Sequence, residues 1–185
     1  MINSYHTMKK LFMLLLLAAF LPLTAFGQGL PKTVQEVRER YAQAHQEIAE
    51  MDLEEHMLCR LVSTSQRNMP AIGIQKETLT AYFNNQDRDE DWYPIFRLFF
   101  LTRKYNVSAR QFYEEYLFDA ETGRLIFVFL QGDNYFSETK DETRYYFGEE
   151  GLISESIKGE RISEADSILR SAEALRTATI TLMAH

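Results

Sequence analysis

Along the chain, Val34, Val37, Tyr41, Ala44, Ile48 and Met51 recur at alternating steps of three and four, the spacing that puts apolar side chains on one face of an α-helix. The start of that helix is marked. Thr33 and Glu36 stand at capping-box spacing, and Pro31 lies just before them, where a helix cannot yet be running. Arg38, Glu39, Gln43, Glu47 and Glu50 fill the intervening positions as a wet face. The stripe is too short for the sustained heptads of a coiled coil and reads as a helix that docks on a sheet.

From His56 the period changes to two, and strand-like runs cover residues 56–66, 76–83, 95–104, 110–119, 124–131, 142–147 and 152–158. The breaks between them carry turn chemistry. Pro70 interrupts 68–73, residues 84–91 are polar, and Gly123, Gly148 and Gly151 sit where tight turns are needed. Connections this short join antiparallel neighbours, so at least the last four strands should form a meander. Leu125 to Leu130 is apolar on both faces, which predicts an interior strand. A second helix is expected from Ser163, spaced to Asp166 as a cap, with Ile162 as a hydrophobic staple and Ala165, Ile168, Leu169, Ala172, Leu175 and Leu182 as its stripe. Helix, seven antiparallel strands and helix predict one α+β domain over residues 28–185.

Residues 1–27 stand outside that pattern. Lys9 and Lys10 precede an apolar run from Leu11 to Leu23, no acid occurs, and Ala25-Phe26-Gly27 offers a small-residue exit. These are the three parts of a secretory signal peptide, with cleavage between Gly27 and Gln28. The run falls short of the roughly 20 residues that span a bilayer, and no transmembrane segment is expected after it. Met8 opens the more typical Met-Lys-Lys start, which would make Met1 to Thr7 an upstream extension of the reading frame. The expected destination is the periplasm or the outside of the cell.

Composition changes once this leader is set aside. The whole chain of 185 residues has 20 Lys+Arg against 27 Asp+Glu, a balance of −7. Removing two lysines and no acid takes it to about −9. That charge opposes nucleic acid and anionic membrane surfaces by repulsion. Cys59 is the single cysteine, so a disulfide framework is excluded and the exported domain must be held by packing.

All aromatic residues after the leader except Tyr41 lie between Tyr82 and Phe147, a distribution that fits a sheet core better than an exposed platform. Trp92 and Tyr93 are the exceptions. They follow Asp87-Arg88-Asp89-Glu90-Asp91 and precede Pro94, so Asp89, Asp91, Trp92 and Tyr93 form the candidate contact loop. The alternating Asp87, Asp89 and Asp91 resemble the opening of a calcium loop, but Trp92 and Leu98 stand where glycine and glutamate are required. No metal and no cofactor are expected.

Glu114 and Glu115 are the candidate acids, because strand alternation places one on each face and at least one among apolar residues, where burial could make a general acid. Adjacent strand residues point apart, so the two cannot flank one glycosidic bond. Cross-strand pairing with Arg110, Arg124 or Arg144 is the structural alternative. His45, His56 and His185 have no common ligand spacing, Cys59 reads as a small buried hydrophobe, and no catalytic grouping emerges. Asn106-Val107-Ser108 matches the glycosylation triplet, which matters only in a eukaryotic secretory pathway.

The leader MKKLFMLLLLAAFLPLTAFGQ, the helix TVQEVRERYAQAHQEIAEM and the strand phrases QFYEEYLFD, TGRLIFVF and ETRYYFGEEGLI resemble small secreted proteins of unassigned function from Bacteroidota-type bacteria. The resemblance implies a bacterial envelope or extracellular setting and transfers no catalytic residue. The expected function is a non-catalytic binding or structural module for a protein, peptide or glycan. The alternative is a polymer-acting hydrolase using Glu114 or Glu115.

Overall fold

The computed structural model describes residues 29–51, 58–84, 89 and 95–183. Its elements are helix α1 (Val34–Glu50), strands β1 (Leu58–Met69), β2 (Gly73–Asn84), β3 (Arg97–Val107), β4 (Arg110–Phe118), β5 (Leu125–Asp133), β6 (Lys140–Gly148) and β7 (Gly151–Lys158), and helix α2 (Ala165–Met183). The strands form one antiparallel sheet in the order β1-β2-β3-β4-β5-β6-β7, so the expected meander extends to all seven. The signal-peptide reading of residues 1–27 lies outside the described residues, as do His56, Asp87, Asp91, Trp92, Tyr93 and His185.

Period-two alternation gives the sheet two apolar faces, and each helix covers one of them. Leu79, Ala81, Leu101, Tyr116, Val128, Leu130 and Tyr145 pack with Ile168 and Ala172 of α2. Phe99, Phe100, Leu117, Ile126, Phe127 and Tyr146 pack with Val37 and Ala44 of α1. β5 contributes to both clusters, which is why its apolar run has no polar side. Each fully buried side chain of this size stabilises the fold by roughly 1.5–3 kcal/mol. Among the described residues, no helix is long and apolar enough to cross a membrane.

Local chemistry explains where the elements begin and end. Thr33 caps α1 by accepting from the Glu36 amide at 3.2 Å, while the Glu36 carboxylate takes the Lys32 amide at 2.8 Å, one residue earlier than in the usual reciprocal box. β1 and β2 run further than their alternation indicated. Pairing continues to Met69 and Gly73, leaving only Pro70-Ala71-Ile72 to turn the chain. In α2 the buried positions are Ile168, Ala172 and Thr179, whereas Leu169 and Leu182 of the expected stripe are exposed. Thr179 can be buried because its hydroxyl donates to the Leu175 carbonyl at 2.6 Å, which makes it apolar in effect.

The link from β7 to α2 is pinned by Asp141, which is 2% exposed. Its Oδ1 accepts from Asn134 Nδ2 at 2.8 Å and from the Glu160 amide at 3.0 Å. Gly159 turns there at φ +79°, and a Cβ would lie 2.2 Å from that same oxygen. The hydrogen bonds from Asn134 and then from the Glu160 amide hold the Asp141 carboxyl below its ordinary range. A carboxyl lowered on folding stabilises the fold above its unfolded titration, near 3.9, and loses that contribution as pH falls through the lower folded value. Asp141→Asn should therefore cost stability near pH 7 and progressively less as pH falls below about 4, as read from urea midpoints along a pH series.

Candidate functional site

Helix α1 leaves one end of its sheet face open. Along β4 on that side, Leu117 and Glu115 are buried, Tyr113 is half-buried and Gln111 is exposed. The same gradient runs through Phe127, Phe129 and Gln131 on β5, and through Phe100, Thr102 and Lys104 on β3. The register places Lys104 opposite Tyr113, Tyr113 opposite Gln131, Glu115 opposite Phe129 and Phe129 opposite Arg144. A cleft of about 340 Å³ is lined by Lys104, Gln111, Phe112, Tyr113, Gln131 and Lys140. A second cleft of about 250 Å³ lies between α1 and the sheet, lined by Arg38, Tyr41, Phe127, Phe129, Arg144 and Tyr146.

Glu115 closes the inner boundary of this open surface and is 5% exposed. Tyr41 donates to its Oε2 and Tyr113 to its Oε1, each at 2.5 Å. His45 Nε2 stands 3.8 Å from Oε2, and its ring packs edge-on against Tyr41 and Phe100. Burial, reinforced by the hydrogen bond to Glu115, pushes both phenols well above their ordinary values. They are committed donors. Glu115 thereby ties α1 to β4 through Tyr41.

Glu114 faces the opposite side at 6% exposure. Tyr105 donates to Oε1 at 2.8 Å and Tyr116 to Oε2 at 2.7 Å, while Arg103 Nη1 lies 3.5 Å from Oε2 and its Nη2 donates to Glu77 at 2.9 Å. Burial, with the neighbouring Glu114 charge, raises Tyr105 and Tyr116 strongly. The sheet partner of Glu114 is Arg103 on β3, not Arg110, Arg124 or Arg144. Arg110 binds the Asp133 carbonyl, Arg124 the carbonyls of Gly148 and Glu149, and Arg144 the Glu142 carboxylate. Periodicity gave the face of each side chain but not the strand register that selects among arginines.

The structure therefore separates the two candidate acids and surrounds both with donors. It brings His45 to Glu115, a grouping that sequence reasoning missed. The available signal was that His45 lies one helical turn beyond Tyr41 on the edge of the α1 stripe. Asp89 is exposed, but its partners Asp91, Trp92 and Tyr93 in the proposed contact loop lie outside the described residues. Cys59 is half-buried and packs against the α2-side core. Among the described residues, no three His, Cys, Asp or Glu side chains gather as a metal site requires.

A second missed feature is the β5–β6 turn. Tyr135 and Phe136 are 74% and 81% exposed, their rings T-shaped at 5.1 Å. Asn134 caps the Phe136 amide at 2.8 Å, and Ser137 and Thr139 share a 2.6 Å hydrogen bond, so the turn is ordered by its own side chains. The turn formers Gly132, Asp133, Asn134 and Ser137 around the pair were its signal.

The chain matches no protein-family model, no curated protein and no solved structure. The geometry of the site offers an open, mixed aromatic and cationic sheet surface beside a tethered helix.

Proposed function

We propose that this chain is an exported, non-catalytic binding module of the bacterial envelope that takes a peptide, protein or glycan on the open end of the α1 face. One observation carries the reading: α1 covers only the Phe100-Leu117-Phe127-Tyr146 end of that face and leaves Lys104, Tyr113, Phe129, Gln131 and Arg144 reachable. Open sheet faces with aromatic and long polar side chains can supply planar contact area and hydrogen bonds together. The glutamates support binding over hydrolysis, because every carboxylate oxygen of Glu114 and Glu115 already accepts a tyrosine hydroxyl. Export to the envelope is supported by the leader-like residues 1–27, with Lys9 and Lys10 ahead of the apolar run from Leu11 to Leu23.

The double variant Lys104→Ala with Gln131→Ala tests this on a mixed glycan and peptide array. Neither side chain is part of the core, so the fold should be kept. Ligands of the natural chain should weaken by about tenfold, the loss of roughly 1.4 kcal/mol of contact. Unchanged binding by the double variant would reject the surface.

A further inference from the structure

The cleft of about 250 Å³ has a chemical character of its own, set by Arg38 and Arg144. The Arg38 guanidinium sits 5.8 Å above the Tyr146 ring, and the Arg144 guanidinium 4.6 Å above the Phe129 ring. Arg38 is exposed and has no carboxylate partner among the described residues. Arg144 donates one Nη2 bond, to Glu142 at 2.9 Å, and Glu142 is shared with Lys158 at 3.6 Å. Arg144 and Lys158 thus share one carboxylate, and the cleft itself is lined by two guanidinium groups and no acid. Glu115, the other acid nearby, has both oxygens occupied by Tyr41 and Tyr113.

This local excess of positive charge stands on a chain whose overall balance is −7. Along the same face Lys104 lies 5.4 Å over the Tyr113 ring, while Lys140, which lines the adjoining cleft, is paired with Asp133 at 3.9 Å. Rings beneath guanidinium groups hold them by cation–π attraction without consuming their N–H donors. Two guanidinium forks held above aromatic walls are suited to a planar or tetrahedral oxyanion, which each can meet with paired N–H groups. The cleft is smaller than the roughly 300–1,000 Å³ of pockets for drug-sized ligands, so it fits a terminal group.

We infer that Arg38 and Arg144 form an oxyanion site that receives a terminal carboxylate or phosphate of the ligand, with Phe127, Phe129 and Tyr146 walling the group that carries it. This rests on the open face being the binding surface. The anion fixes one end of the ligand, and the adjoining Tyr113 and Gln131 cleft takes what extends from it.

Calorimetric titration of the intact protein with sodium glucuronate, inorganic phosphate and glucose tests the site, alongside Arg38→Gln and Arg144→Gln. Arg38 is exposed on its helix, so its variant keeps the fold even if Arg144→Gln does not. Saturable binding of glucuronate or phosphate at about 10 mM or below, with glucose not binding, is the expected result. Glucuronate alone would assign a carboxylate, phosphate alone a phosphoryl group, and both a general oxyanion. Arg38→Gln should weaken the bound anion by about tenfold. No anion binding to the natural chain, equal binding of glucose, or binding indifferent to Arg38→Gln overturns the site. If array ligands still depend on Lys104 and Gln131 in that case, the open-face reading stands and only the anion site fails.

Discussion

Glu114→Ala is expected to lower the free energy of unfolding by about 2–4 kcal/mol, because two buried tyrosine hydroxyls lose their acceptor at once and a half-buried guanidinium loses one of its two carboxylates. The Arg103 guanidinium would keep Glu77 but lose Glu114, and the Tyr105 and Tyr116 hydroxyls would lose their shared acceptor. Arg103 has no slack to absorb the loss, since its Nε already has no hydrogen-bond partner. For a chain of this length each kcal/mol moves the melting midpoint by roughly 2–4 °C, so a fall of about 10 °C should be seen by calorimetry. Tyr105→Phe and Tyr116→Phe should each cost only about 1 kcal/mol, because the carboxylate retains its other donors. An alanine variant as stable as the natural chain would remove the structural explanation for a buried glutamate and reopen the catalytic one.

Gly148→Val is expected to be the second large effect, at about 2–3 kcal/mol. A Cβ at Gly148 would stand 2.3 Å from the Pro31 carbonyl oxygen and 2.8 Å from Ile153 Cδ1. The isoleucine end can rotate away; the Pro31 backbone cannot yield without shifting the approach to α1. The loss should appear as a lower urea midpoint at unchanged slope, reflecting weaker docking of α1 with the sheet intact. Full stability in this variant would mean that the chain before α1 is not seated on β6 as the structure has it.

Much of this architecture was legible in the order of side chains. The three-four spacing from Val34 located α1, and the alternation after His56 located seven strands; short turns fixed the antiparallel order of at least the last four, and the structure extends it to all seven. What escaped was set by contacts between distant residues. The stripe of α2 was misassigned at Leu169 and Leu182 because Thr179, polar by type, becomes buriable only through its bond to Leu175. The two faces of Glu114 and Glu115 followed from period two, but Arg103 as a partner depends on β3–β4 register. Likewise, no local pattern states how far a helix extends over a sheet, so the partly covered face and the Arg38–Arg144 cleft emerge only once α1 is docked.

Aromatic residues show the same limit. Their concentration between Tyr82 and Phe147 marked a sheet core, and Phe83, Phe99, Phe100, Tyr116 and Tyr145 are indeed buried to within 2% exposure. Tyr135 and Phe136 belong to the same stretch yet stand in solvent, because the turn chemistry around Asn134 overrides their preference for burial.

The central claim is that the α1 side of the sheet is the working surface. It is tested most directly by placing the photocrosslinking residue p-benzoylphenylalanine at Gln131 on the open face, or at Arg170 on the exposed side of α2, and irradiating the producing cells. The account predicts a defined adduct from position 131 and none from position 170. An adduct confined to position 170, or equal yields from both, would contradict it.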